Sequence, residues 1–345
     1  MGSVKDLQIL KKPTKGKMGV GRFVFSDRYS VFDWGEMPDH IPNKGAALCI
    51  MGSFCFEEIE RRGIKTHYKG LVGKDGKPHR LDELEEPSNV MEVSIVNVIR
   101  PPFKGGRYDY SAYTPKLENF LIPLEVIYRN RLPEGSSVFK RLERGDTTYQ
   151  ALGLDHYPKP GAVLDNPIFD VSTKLEVRDR YMTWEEAQEI SCMSDAELGE
   201  LKGVLRKANG LITEIGATAD LVNEDGKIEL AYGPMRELML VDILGTLDEC
   251  RFTYNGLPVS KEVARKFYRK TAWYSDVEKA KNAAEEKKVT DWKALCRSKP
   301  PKLHPELKRI IGQMYTSTAN AFLGRDVFDS PKLKEVVRTY KDLAV

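Results

Sequence analysis

Ser26-Asp27-Arg28-Tyr29-Ser30-Val31-Phe32-Asp33, followed by Ile41-Pro42-Asn43-Lys44-Gly45, is the stretch on which the reading of this chain turns. It crowds charged and polar side chains between two apolar elements, where an ordinary surface loop tolerates almost any residue. On its N-terminal side Arg22 to Phe25 is a short apolar run, closed by Ser26 and Asp27, that reads as a strand. On its C-terminal side Ala46 to Arg62 carries apolar residues at helical spacing (Ala47, Ile50, Met51, Phe54, Ile59), and Gly63 stands where a C-cap belongs. Directly before the strand lies Gly16-Lys17-Met18-Gly19-Val20-Gly21-Arg22. A glycine-rich turn there lets backbone N–H groups approach phosphate while Lys17 or Arg22 supplies charge. The run lacks the Walker spacing and precedes a strand instead of a helix, so a plain β-turn is the competing reading.

Further along, Val90 to Ile99 alternates as a strand, and Pro101 to Lys116 breaks into a loop rich in Pro, Gly and Tyr that reads as an insertion. Strand character resumes from Phe120 to Tyr128. Asp195 to about Val222 reads as a long helix opened by a capping box, Ser194 with Glu197, and Asn223 to Gly226 reads as the turn after it. Lys227 to Tyr232 and Glu237 to Leu244 form a strand pair about Gly233 and Pro234. Lys261 to Tyr274, Asp276 to Lys288 and Leu307 to Phe322 have helical composition, with a Lys-Pro-Pro break at 299 to 301.

Composition narrows the function classes. The 345 residues suffice for two packed domains, and 54 basic residues nearly balance 51 acidic ones, so any anion binding is local and no nucleic-acid partner is expected. No run approaches the ~18 consecutive apolar residues of a membrane span. The N-terminus has no charged region followed by an apolar one, so the expectation is a cytoplasmic protein. Five scattered cysteines without metal spacing read as reduced thiols.

Three later segments place chemistry-bearing residues together. Pro123-Leu124-Glu125-Val126-Ile127-Tyr128-Arg129-Asn130-Arg131 puts two guanidiniums on one strand face, where they could clamp a phosphate or carboxylate; Gly135-Ser136 follows. A solvated strand face is the competing reading. Asn166 to Glu176 carries Ser172-Thr173-Lys174, and Val241 to Phe252 carries Asp242, Asp248 and Arg251, an acid and an arginine three apart. Taken alone, the last reads equally as a strand end capped by a salt-bridged turn.

Together these segments resemble the SAICAR synthetase family. Its first domain has S-D-R-x-S-x-F/Y-D, then I-P-x-K-G, then a helix with an aromatic pair like Phe54 and Phe56; Asp33 and Lys44 fall on those motifs. The second segment is similar to P-x-E-x-I/V-x-R-N-x-x-x-G-S with one extra residue. The third is similar to P-I/L-F-x-x-S-T-K-x-E, and the fourth to D-E-x-x-S/T-P-D-S/G-S-R-F/L. A closing stretch, Pro300-Pro301-Lys302-Leu303 with Tyr315 and Gly324-Arg325, extends the likeness from about Gly16 to about Phe328.

The resemblance implies an α+β fold in two lobes with ATP in the cleft between: an N-terminal antiparallel sheet lobe (1–120, with 101–116 inserted) and a larger C-terminal lobe (121–345). It implies an ATP-dependent ligase that joins aspartate to carboxyaminoimidazole ribotide through an acyl phosphate, with Mg²⁺ as cofactor. Residue by residue it implies Lys174, Asp248 and Arg251 in catalysis. Arg129, Ser136, Asp33 and Lys44 would bind substrate; Gly16, Lys17, Arg22 and Glu125 would bind nucleotide; Asp242 and Glu229 would hold metal. Two departures stand out. Lys227 to Arg236 occupies the place of the family's D/T-F/T-K-x-E-x-G strand without reproducing it, and Ile243 replaces the second acid of the D-E pair; Glu229 and Arg236 are candidates to supply the lost charges. After Lys174 the family's His-Asp pair is replaced by Arg178 and Asp179. A ligase with another carboxylate and amine, or a nucleotide-binding protein without ligase chemistry, are the alternatives. Homo-oligomerisation is not specified by the sequence.

Overall fold

The computed structural model describes residues 4–259, 261–287, 289 and 291–343. β1 (Lys5–Lys11) and β2 (Gly19–Phe25) precede helix α1 (Lys44–Arg61), after which β3 (Tyr68–Val72), β4 (Pro78–His79) and β5 (Val90–Ile95) complete an antiparallel sheet in the order β1-β2-β5-β3-β4. Alternation in β2 sends Phe23 and Phe25 into the core and leaves Arg22 on the other face. A small hairpin, β6 (Phe103–Lys104) and β7 (Arg107–Tyr108), occupies the 101–116 stretch and turns on Gly105 and Gly106, both at positive φ.

The second sheet begins with β8 (Phe120–Leu121) and β9 (Leu124–Leu132), separated at Pro123, which cannot donate to the ladder. Helix α2 (Ser137–Arg144), strand β10 (Ala162–Thr173) and helices α3 (Trp184–Ser191) and α4 (Asp195–Thr218) lead to β11 (Leu221–Tyr232), β12 (Leu238–Val241), β13 (Cys250–Tyr254) and β14 (Leu257–Pro258). The order is β10-β9-β11-β13-β14, with β12 and β8 on the far half of β11. Helices α5 (Glu262–Arg269), α6 (Ala272–Glu286), α7 (Pro305–Leu323) and α8 (Leu333–Asp342) close the chain. The class is α+β. Among the described residues no helix is long and apolar enough to cross a membrane, and all five cysteines are free.

Several local readings change. Asn223 to Gly226 is not a turn: it lies inside β11, where the register slips between Asn223 and Asp225, a β-bulge. The turn-like composition has a packing cause, since a Cβ on Gly226 would collide with the Tyr128 hydroxyl and Cys250 Sγ. The helical break falls at Thr271, whose hydroxyl caps α6, instead of after Tyr274. The expected end of that helix at Lys288 lies outside the described residues. β10 gave no strand signal because only its second half is buried.

The two sheets are tied by backbone. His67 N–H donates to Leu240 O at 3.0 Å and Leu240 N–H to Lys65 O at 2.9 Å, and α1 packs between the first sheet and α7. One buried polar cluster fastens the same parts: Lys44 Nζ, fully buried, lies 2.7 Å from Asp248 Oδ2, and the Tyr315 hydroxyl donates to Asp248 Oδ1 at 2.6 Å. Burial alone would raise the Asp248 carboxyl, but Lys44 and Lys261, with the Tyr315 bond, hold it at about 2.

A carboxyl with a depressed folded-state pKa contributes stability that is complete above the ordinary carboxylate range and lost as the pH falls through about 2. Asp248→Asn is therefore expected to cost about 3 kcal/mol near neutral pH, because Lys44 is left buried without a counter-charge. The gap to the wild type should narrow as pH drops from about 4 to about 2. Urea unfolding across that range measures it, and a gap independent of pH would rule out the ionised pair as its cause.

Candidate active site

Strand alternation builds the site. On β9, Glu125, Ile127 and Arg129 share one face, while Val126 and Tyr128 face the core. On β11 the bulge shifts the alternation, so Asn223 packs inward while Asp225, Lys227 and Glu229 join the face of Glu125 and Arg129. With regular alternation through Glu224 those three would share the face of Asn223 and point into the core.

Two charge groups result. In the first, Lys227 Nζ lies 3.1 Å from each of Glu125, Glu229 and Glu249, and Lys174 Nζ lies 3.0 Å from Glu125 and 2.6 Å from Glu229. Asp242 follows β12 at φ 65, and its carboxylate meets Lys5 Nζ at 2.8 Å. Burial would lower the Lys227 ammonium, but Glu249, Glu229 and Glu125 hold it well above its ordinary value. Burial would raise Asp242, yet Lys5, Lys227 and Lys174 keep it far below the carboxylate range. Glu229 goes the other way: burial and the neighbouring Asp242 charge raise it despite the two lysines.

In the second group Arg251 clasps Asp225 through Nε at 2.8 Å and Nη2 at 2.6 Å, and Arg129 reaches Asp225 at 3.5 Å and Asp170 at 3.3 Å. Ser136 caps α2, accepting from Val138 N–H, and also accepts from Arg129 Nη1 at 3.4 Å. Buried Arg129 Nε has no hydrogen-bond partner among the described residues. An arginine beside a helix N-terminus is anion-binding chemistry. Both groups open on one cavity of about 1340 Å³, lined also by Asp248, Lys261, Arg265 and Arg269.

Most of the residues singled out from the sequence meet here: Glu125, Arg129, Ser136, Asp248 and Arg251 line the cavity, and Lys174, Glu229 and Asp242 belong to the lysine cluster. Five lie elsewhere or act indirectly. Lys44 is fully buried and reaches only Asp248, so it supports that carboxylate without touching the cavity. Arg22 sits on the outer face of β2, bonded to Glu92 at 3.1 Å and Gly76 O at 2.6 Å. Gly16 and Lys17 form a turn closed by Thr14 N–H on Lys17 O at 2.9 Å. Asp33, at the cavity mouth, is exposed and pairs with Lys281 at 2.8 Å.

Lys227 and Glu229 stand side by side on β11 in the lysine cluster, at the spacing of the lysine and glutamate in the family motif. Arg236 supplies no charge to the cluster; it bonds Glu197, Leu117 O at 2.7 Å and Cys192 O at 3.1 Å. Ile243 packs against the bare backbone of Gly52 in α1, an apolar spot that would leave a carboxylate buried and unpaired. Glu249, which no spacing argument identified, brings the fourth carboxylate instead. Lys261, Arg265 and Arg269 were missed because a basic helix face is normally a solvated one.

Comparison with known proteins agrees with this geometry. Residues 10–287 match the family model for SAICAR synthetase. An Archaeoglobus fulgidus protein provisionally assigned as a phosphoribosylaminoimidazole-succinocarboxamide synthase is 48% identical over 343 residues, 99% of each chain. A Thermoplasma acidophilum protein of the same name is 33% identical over 267 residues, covering 75% of this chain and 81% of its own. In fold, a Saccharomyces cerevisiae SAICAR synthase solved with SAICAR superposes with TM-score 0.61 at 20% identity, covering 94% of each chain. A type-2 SAICAR synthetase solved with ADP gives 0.56 at 20% identity, covering 88% of this chain and 99% of that one. With a family match across four-fifths of its length and a relative aligned from end to end, this chain belongs to the SAICAR synthetase family.

Proposed function

We propose that this protein is a cytoplasmic ATP-dependent carbon–nitrogen ligase of purine biosynthesis, joining carboxyaminoimidazole ribotide to aspartate with release of ADP and phosphate. The observation that carries the reading is the lysine cluster at the inner edge of a cavity whose remaining wall is arginine-rich. The relatives solved with ADP and with SAICAR supply the substrate classes.

ATP fits the side of the cluster facing the first sheet, which makes the 1–120 segment a nucleotide-covering lobe over the 121–345 lobe. Leu7 and Ile9, about half exposed, share the face of Lys5 beside the bare backbone of Gly19 and Gly21. Met18, Val96 and Leu121 pack there on Ala231, Met239 and Val241, an apolar patch suited to a base. Lys5 then bridges from that face to Asp242, leading toward the phosphates.

A carboxylate is a poor electrophile, since its leaving group would be an oxide. Its oxygen attacks the γ-phosphorus, ADP departs, and the acyl phosphate is then attacked at carbon by the amine, expelling phosphate. Lys174 and Lys227 are placed to neutralise the oxygens that approach each other, which makes catalysis mostly positioning and charge compensation. Arg129, Ser136 and Arg251 would hold the ribotide phosphate, and Asp248 and Arg265 lie where the second substrate enters.

Among the described residues no group of three or more His, Cys, Asp or Glu side chains is arranged to hold a metal ion by itself. Glu229 beside Asp242 nevertheless suits Mg²⁺, which takes one or two carboxylates and completes its shell from phosphate oxygens and water. When bound, the ion would supply charge neutralisation at the phosphates.

ADP release with Mg²⁺-ATP, carboxyaminoimidazole ribotide and aspartate should require all three, and in Arg251→Ala kcat/KM for the ribotide should fall by about 10²-fold or more. ATP turnover only with a different carboxylate and amine would overturn the substrate assignment. Lys227→Met should lower kcat by roughly 10²- to 10³-fold when assayed well below its own melting midpoint, where circular dichroism shows it folded, because the ammonium acts where charge is redistributed. A wild-type rate in that variant would remove Lys227 from the mechanism.

A further inference from the structure

The loop carrying Lys174 makes a seven-residue excursion between β10 and Tyr181. Its base is closed by backbone: Thr173 N–H donates to Arg180 O at 3.0 Å, Lys174 N–H to Pro123 O at 3.0 Å, and Ser172 bridges Tyr181. Its tip points outward, with Val177 73% exposed. Such a tip has no reason to stay in one arrangement unless something holds it.

Two hydroxyls do so, and both come from the 101–116 insertion. Tyr108 Oη accepts from Val177 N–H at 3.0 Å, and Tyr110 Oη donates to Glu176 Oε1 at 2.9 Å. Glu176 is nearly buried and is further gripped by Arg180 at 3.2 Å and 3.3 Å, so the tip is fixed from both sides. The insertion is itself anchored. Tyr113 is buried against Phe120, with its hydroxyl on Ile99 O at 2.6 Å, and Arg236 grips Leu117 O while its ring-facing side lies on Tyr232.

We propose that the 101–116 insertion is a strap whose Tyr108 and Tyr110 are positioning residues, fixing the Lys174 loop so that the ammonium is held at the phosphate side of the cavity. Arg236 belongs to the same device. The 101–116 hairpin and the turn before β12 are thus one unit: the turn clamps the leg of the strap and the strap clamps the loop. Preorganisation of this kind lowers the cost of ordering a charged loop at each turnover. The role assigned to Lys174 rests on the ligase reading above; the mechanical coupling does not.

The test is the Tyr108→Phe, Tyr110→Phe double variant, which keeps both rings and removes only the hydroxyls, made in the wild type and in Lys174→Ala. Amide exchange at Val177 should rise about tenfold with an unchanged melting midpoint. The kcat for ADP formation should fall roughly five- to twentyfold in the wild-type background and no further in Lys174→Ala, since the hydroxyls act through that lysine. Unchanged exchange, or an equal loss in both backgrounds, would overturn the strap. If the wild type forms no ADP with these substrates, the ligase reading fails separately, and the same cycle on ADP affinity decides the strap.

Discussion

The structure is organised around the ammonium of Lys227. A lysine nitrogen at the centre of a sheet is stable only when carboxylates surround it, because an uncompensated buried charge costs several kcal/mol. Its three partners come from three places: Glu125 on β9, Glu229 on β11 itself and Glu249 in the segment entering β13. The lysine therefore demands that β9 and the approach to β13 flank β11, and the register delivers it, with Asp225 opposite Arg129 on one side and Arg251 on the other. That row sets Asp225 between two guanidiniums, a cross-strand charge match that supports the register.

One inserted residue at the bulge separates fold from site along the same strand. Before it, Asn223 belongs to a buried amide network with Asn130 and Asn209 that seats α4 on the sheet. After it, Asp225, Lys227 and Glu229 face the cavity. Gly226 is required at the crossing because Tyr128 and Cys250 fill the space of a side chain. The strand that looks most altered in sequence is in this way the one that carries the charge chemistry.

Where the chain differs from the family motifs, its own neighbouring residues bring charge or packing to the site. Position 243 is apolar because it packs on Gly52, and Glu249 brings a carboxylate to the cluster from the other side of the loop. Arg236 leaves the site entirely and joins the support of the inserted hairpin. The resulting groups retain what amide formation through an acyl phosphate needs: cations where phosphate oxygens crowd, and a carboxylate, Asp248, kept ionised by Lys44 and Tyr315.

The sequence by itself determined the family, the α+β class and the residue types of the site, because motifs such as Ser26 to Asp33 and Arg129 to Ser136 pack more polar groups than any loop needs. It also carried the long capped helix α4, whose signals are local. It did not reveal that Lys227 joins Glu229 in one charge cluster, that Asn223 to Gly226 was strand, or that Lys44 was buried. Those depend on which face a residue takes after a bulge and on what stands across the sheet, and both are fixed only when distant strands pair. Nor did it join Tyr108, Tyr110 and Arg236 to the Lys174 loop, since those contacts span 66 to 122 residues of chain and follow from packing alone.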